Sequence, residues 1–197
     1  TSEDASFWLS IRPEGVVEIV SPRSEIGQGI ATAIKQVIAE ELNLDPDRIR
    51  YIHPRSDRVP DVRATVGSDS MLFFAPLIAS TAAALSDELD DCVYKTHGLR
   101  SGEYRLMDQQ IVAADGKRYP LKPVLTPPLM LDPARVETAK PKSFSSPAPG
   151  TWIGRTARAH KIKELVTASE PLFVDDISLP EMAHARLLPA APEPGLA

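Results

Sequence analysis

At 197 residues the chain is long enough for one full core or two small domains. Its net charge of −5 argues against nucleic acid or an anionic membrane surface as partner, because a protein that tracks phosphates presents a basic face. No apolar run reads as a membrane span. The lone Cys92 can neither close an internal disulfide nor hold an iron–sulfur cluster, and the four histidines show no metal-ligand spacing.

The first elements are legible in order. Phe7 to Arg12 and Val16 to Val20 alternate apolar and polar residues around Pro13, Glu14 and Gly15, which predicts two strands and a tight turn. Ile30, Ile34, Val37, Ile38 and Leu42 then recur at helical spacing, with Lys35, Gln36 and Glu40 on the other side. Between hairpin and helix stand Glu25, Ile26, Gly27, Gln28 and Gly29. The first N–H groups of a helix lack intrahelical partners and carry the positive end of its dipole, so Gly27 to Gly29 form a mouth suited to a phosphate or another electron-rich group. Glycine permits close approach to the backbone, and the Gln28 amide adds donors and an acceptor for a polar ring edge. The plainer alternative is that the two glycines only turn the chain from strand into helix.

Ile49 to His53 reads as a further strand. An irregular stretch follows, and Thr65, Val66, Gly67, Ser68, Asp69 and Ser70 then lead into a long apolar run from Met71. Ser68, Asp69 or Ser70 can serve as a simple N-cap, and Pro76 predicts that regular helix begins near Ala75 or is kinked there. Gln109 to Ala113 and Lys117 to Tyr119 flank Asp115-Gly116 as a hairpin. Eight of the nineteen prolines fall between Pro120 and Pro149, which predicts a surface crossing in extended or turn conformations. The expected architecture is α+β. Residues 1–119 form a first lobe, 120–150 a proline-rich linker, and 151–197 the opening of a second, incomplete domain.

Three segments together carry a family resemblance. Trp8 to Arg12, Pro13, Gly15, Glu25-Ile-Gly-Gln-Gly29, Thr32 and Ala39-Glu-Glu-Leu42 resemble the opening of the molybdenum-binding subunit of the molybdenum hydroxylases, which include xanthine dehydrogenase and aldehyde oxidase. Ile26 stands where that family usually has methionine. Val59, Pro60, Thr65, Gly67, Ser68 and Ser70 are similar to the family's second cofactor loop, in which Asp69 must point away from any pyrophosphate. Ile153-Gly-Arg155, Arg158, Ala168-Ser169, Phe173 to Ile177, Leu179-Pro180 and Met182 to Arg186 resemble the first strands of its α/β hammerhead domain. Two of the glycines common there are absent, one of them replaced by Glu181. The hammerhead follows the glutamine motif, the permuted order of the isoquinoline oxidoreductase type.

The resemblance implies a molybdenum–molybdopterin cofactor, a pterin dinucleotide such as the cytosine form, contacted by Gly27, Gln28, Gly29, Thr65, Gly67, Ser68 and Ser70. It implies hydroxylation of aldehydes or N-heterocycles with water as oxygen source. Its implied partners are the rest of the large subunit and a 2Fe–2S subunit that receives the electrons, with a cytochrome or flavin subunit and self-association also compatible. Both bacterial periplasm and cytoplasm fit, with the resemblance leaning to the periplasm. No residue matches the family's catalytic glutamate, so this chain is expected to supply binding and orientation, without a catalytic residue or a metal ligand. The competing readings are a non-catalytic interaction module that has kept the lobe's shape, and an unrelated nucleotide-binding domain. The latter lacks a P-loop or G-x-G-x-x-G pattern.

Overall fold

The computed structural model describes residues 8–55, 57, 59, 65–107, 109–126, 129, 131–145, 150–159, 167, 171 and 174–188. The chain divides into two compact units, 1–160 and 161–197.

In the first unit the predicted hairpin forms β1 (Leu9–Ile11) and β2 (Val17–Val20), with Leu9 opposite Ile19 and Ile11 opposite Val17. Gly15 supplies the positive φ of +73° at the turn, closed by the Gly15 N–H on the Arg12 carbonyl. After α1 (Ile30–Leu42) and a 3-10 turn at Pro46–Arg48, β3 (Ile49–Ile52) pairs in parallel with β2. The sheet order is therefore β1-β2-β3, with β2–α1–β3 as a crossover unit. Val17, Ile19, Ile49 and Tyr51 are buried with Ile34 and Ile38 of α1, while Ser10, Glu18 and Arg50 alternate onto the opposite face. Glu18 lies nearly buried between Arg12 and Arg50, so one carboxylate ties β2 to the ends of both neighbours.

The second helix, α2 (Ser70–His97), starts at Ser70 and runs through Pro76. Of the two outcomes expected at Pro76, a helix start near Ala75 is thus corrected, since the helix already includes Ser70 to Phe74. Pro76 is exposed, so the bond it cannot donate and the ring's crowding fall on the solvent side, where the Leu72 carbonyl can meet water. Ala75, Ile78, Ala79, Ala82, Leu85, Leu89 and Val93 form the buried stripe that holds the helix in place against α1. By length and composition α2 is also long and apolar enough to cross a membrane, which corrects the reading of no such run. In this fold 56% of its most apolar window is buried, and it serves as the central core helix of the lobe.

The Asp115-Gly116 hairpin is present as β5 (Gln110–Ala113) and β6 (Arg118–Pro120), with Gly116 at φ +85°. A strand not expected from sequence, β4 (Tyr104–Met107), pairs antiparallel with β5. Burial pushes the Tyr104 phenol well above its ordinary range and its hydrogen bond to Asp90 adds to this, so the hydroxyl stays a donor that pins β4 to α2.

The proline-rich stretch does more than cross the surface. Leu121, Val124 and Leu125 enter the core, and α3 (Pro133–Thr138), capped by Asp132, is held to α2 through Arg135 on Asp91 and Glu88. Two adjacent glutamates at the C-terminal end of α1 then receive the returning chain. Fully buried Glu41 accepts from the backbone N–H groups of Lys142 and Ser143 and from the Ser143 hydroxyl. Glu40 accepts from the N–H groups of Thr151, Trp152 and Ile153, while Gln36 donates to the carbonyls of Trp152 and Arg155. Residues 151–155, expected with the second domain, are therefore hydrogen-bonded to α1. Two carboxylates at the negative end of a helix dipole are unfavourable in isolation, and these five backbone donors offset that cost.

Burial pushes the Glu40 carboxyl up, but the Trp152, Thr151 and Ile153 donors together with nearby Lys142 hold it below the usual carboxylate range. A depressed folded value means the carboxylate adds stability above the unfolded value and loses it as pH falls through the folded one. The natural chain's advantage over Glu40→Gln in the urea midpoint should therefore be full near neutral pH and shrink as pH falls through and below the ordinary carboxylate range, which makes its acid titration the steeper of the two. Parallel curves would show that these bonds carry no proton linkage.

In the second unit the described residues hold a 3-10 turn at Val174–Asp176 and a turn closed by the Met182 N–H on the Leu179 carbonyl. No strand occurs among the described residues after Gly150. Pro60, Ala168, Ser169 and Phe173, which carried part of the resemblance, lie outside the described residues.

Candidate functional site

The Gly-Gln-Gly segment begins where β2 ends. The Ser21 N–H donates to the Ile52 carbonyl, and the Ser21 hydroxyl both accepts from the Arg23 N–H at 3.0 Å and donates to the Arg23 carbonyl at 2.8 Å. The Tyr51 hydroxyl donates to the same carbonyl. Burial pushes the Tyr51 phenol up to about 12, opposed by the Ser21 hydrogen bond and assisted by the Glu25 charge, so it remains protonated as a donor. The chain direction is thereby fixed two residues before the loop.

The Arg23 side chain is only 2% exposed, and its guanidinium carbon lies 4.3 Å from the centre of the Phe74 ring. Phe74 sits in the first turns of α2 and packs in turn on Trp8, with ring centres 5.9 Å apart. A buried cation over an aromatic face is worth about 2 kcal/mol. It joins the stem of the 24–29 loop to the helix that follows the 65–70 loop.

Within the first loop the chain binds itself. Glu25 accepts from the Gly27 and Gly29 N–H groups through one oxygen, at 2.8 and 3.0 Å, and from the Ala31 N–H through the other, at 2.9 Å. Gln28 accepts from the Ile26 N–H at 2.7 Å and donates to the Ser24 carbonyl at 2.8 Å. The α1 mouth expected to be open to a phosphate is thus filled by Glu25, and the Gln28 amide is turned into the loop. Gly27 and Gly29 have φ of +100° and +82°, and a Cβ on either would meet nothing within 4 Å. They are glycines for their backbone angles, and the space over them is open.

The second loop has a similar construction without the carboxylate clasp. Gly67 and Ser68 both take the left-handed conformation, at φ +67° and +53°. Thr65, Gly67 and Ser68 are exposed, while Ser70, the first residue of α2, is buried. Of the three residues expected as N-cap, Asp69 holds the position and its carbonyl accepts from the Phe73 N–H, but its side chain makes no cap bond to the helix. The exposed apolar side chains Ile26, Val66, Leu72 and Phe73 belong to these two loops and to the first turn of α2. No group of three or more metal-ligating side chains occurs among the described residues.

Sequence reasoning identified both loops but gave Glu25 only a flanking place. The available signal was an acidic residue directly before a glycine-rich helix start, where the free N–H groups of the first turn attract a carboxylate. Arg23 was not singled out, since nothing in the sequence marks a buried arginine.

Comparison with known proteins adds independent observations. Residues 1–153 match the family model of the molybdopterin cofactor-binding domain. The chain is 23% identical over 186 residues to one of the subunits of nicotinate dehydrogenase from Pseudomonas putida, covering 94% of this chain and 15% of that one. It is 46% identical over 45 residues to the beta subunit of isoquinoline 1-oxidoreductase from Brevundimonas diminuta, covering 23% of this chain and 6% of the relative. Among solved structures, a Cu,Mo-CO dehydrogenase aligns with a TM-score of 0.44 at 24% identity, over 64% of this chain and 17% of that one. Quinoline 2-oxidoreductase from Pseudomonas putida 86 gives the same TM-score at 17% identity, over 59% and 15%. The chain therefore spans less than a quarter of the length of these relatives. With its family model matched over most of the sequence, the chain belongs to the molybdopterin cofactor-binding domain family of the molybdenum hydroxylases.

Proposed function

We propose that this chain forms one wall of a molybdopterin site in a larger oxidoreductase that hydroxylates aldehydes or N-heterocycles with water and passes electrons to an iron–sulfur subunit. The observation that carries the reading is the Arg23–Phe74 contact, which joins the stem of the Gly-Gln-Gly loop to the helix behind the serine loop. Two exposed, glycine-shaped loops with a common anchor suit one elongated ligand. The residues fit the pterin part of such a cofactor better than its phosphates. Open space over Gly27 and Gly29 admits a ring edge, whereas Glu25 already fills the α1 mouth.

On this reading Gly27, Gln28 and Gly29 meet the pterin, and Thr65, Gly67, Ser68 and Ser70 line the neighbouring surface, with exposed hydroxyls from Thr65 and Ser68. The bound cofactor supplies the two-electron oxidation, and this chain's residues bind it, orient it and keep its loops in shape. The same proposal includes the dinucleotide form, the 2Fe–2S partner and any cytochrome or flavin partner. It also includes the division into a cofactor lobe at 1–119, a crossing at 120–150 and the opening of a hammerhead domain at 151–197, supported by the sequence match at Met182 to Arg186.

Gln28→Ala in the complete protein tests the reading. Molybdenum content or turnover should fall by about tenfold, the scale seen when residues that orient a metal centre are lost. The fold should survive, because Gln28 is exposed. Unchanged content and unchanged rate would refute it, and absence of molybdenum and pterin from the natural complete protein would favour the non-catalytic module.

A further inference from the structure

We infer that Glu25 is the positioning residue of the cofactor loop and sets which part of the ligand that loop accepts, an inference that rests on the function proposed above. One carboxylate gathers the N–H groups of residues 27, 29 and 31, while the Gln28 amide laces Ser24 to Ile26 across the same turn. The two side chains thus interlock five backbone groups within eight residues, which fixes Gly27 and Gly29 in their left-handed conformations. An anion brought to the α1 mouth would find these three donors taken and a negative charge in their place. A phosphate is therefore disfavoured at this loop on two independent grounds, lost hydrogen bonds and like-charge repulsion. An uncharged, hydrogen-bonding heterocycle edge meets neither obstacle. Glu25 acts through the loop and not on the ligand, so its substitution should disturb loop geometry first and ligand retention as a consequence.

The test compares Glu25→Gln with Gln28→Ala in the complete protein. Glutamine keeps the length of the side chain but presents an amide where a second acceptor is needed. Hydrogen exchange, followed by mass spectrometry on the metal-free protein, should be about tenfold faster in the peptide spanning residues 24–31 of Glu25→Gln, with peptides of α2 unchanged. Molybdenum and extractable pterin in the same variant should fall several-fold. Fast loop exchange with full cofactor content, while Gln28→Ala loses its cofactor, would overturn the positioning role and leave the proposed function standing. Full cofactor content in both variants would overturn both. Unchanged exchange in the loop peptide would show that no clasp exists, and an equal rise throughout α2 would show that Glu25 acts on the stability of the whole lobe; either result overturns the inference.

Discussion

Glu41→Ala should lower the stability of the chain by about 2–4 kcal/mol, because a hydrogen bond to a charged group contributes about 1.5–3 kcal/mol and the part-buried donors it leaves can regain some of that from water. Glu41 is fully buried, and its removal strips the acceptor from the Lys142 and Ser143 N–H groups and from the Ser143 hydroxyl at once. Relief of a negative charge at the C-terminal end of α1 returns only about 0.5 kcal/mol. For a chain of this size, the net loss corresponds to a fall in melting temperature of roughly 4–16 °C. Glu41→Gln should cost less, since its amide oxygen still accepts one of the backbone donors. Urea or thermal unfolding of the two variants beside the natural chain measures the difference. A loss under about 1 kcal/mol for the alanine variant would mean that water or a neighbouring group replaces the carboxylate.

The second large effect concerns the chain taken by itself. Residues 1 to 197 alone should retain no stoichiometric molybdenum and turn over no aldehyde or heterocycle. Their two loops expose two short stretches, residues 26–29 and 65–68, and no cluster of metal-ligating side chains occurs among the described residues. Sites that hold a ligand of drug size bury about 70–90% of its surface, and one wall falls well short of that. Incubating the purified chain with the molybdenum cofactor and an electron-accepting dye is the direct check. Stoichiometric metal together with substrate-dependent dye reduction would show a complete site within these residues.

The strands and helices that obey a strict period were legible. Leu9 to Ile11, Val17 to Val20 and the 30–42 helix repeat every second or every third to fourth residue, and the folded elements lie where that periodicity puts them. Asp115-Gly116 announces its hairpin for a comparable reason, since a tight turn needs the positive φ that glycine provides. What escaped depends on partners distant in sequence. β4 is half exposed and has no buried stripe of its own, so its identity comes from pairing with β5. Pro76 left two outcomes open, and the late start fails because a proline whose face is exposed can sit inside a helix that already began at Ser70. The proline-rich crossing hid Leu121, Val124 and Leu125, whose burial is set by a core formed elsewhere. At the site, glycine spacing revealed both loops, but the Glu25 clasp and the Arg23–Phe74 anchor are tertiary facts that no spacing rule encodes.

A loop that serves as its own ligand changes when order is imposed. Fixing the backbone of one residue costs about 1–2 kcal/mol of conformational entropy. Were residues 24–29 loose, that cost would be charged against the cofactor's affinity at the moment of binding. Because Glu25 and Gln28 close the turn with the chain's own groups, the ordering is complete once the lobe has folded. Under the proposed function, a cofactor reaching this loop meets a surface already in shape, and none of its binding free energy goes into closing the turn.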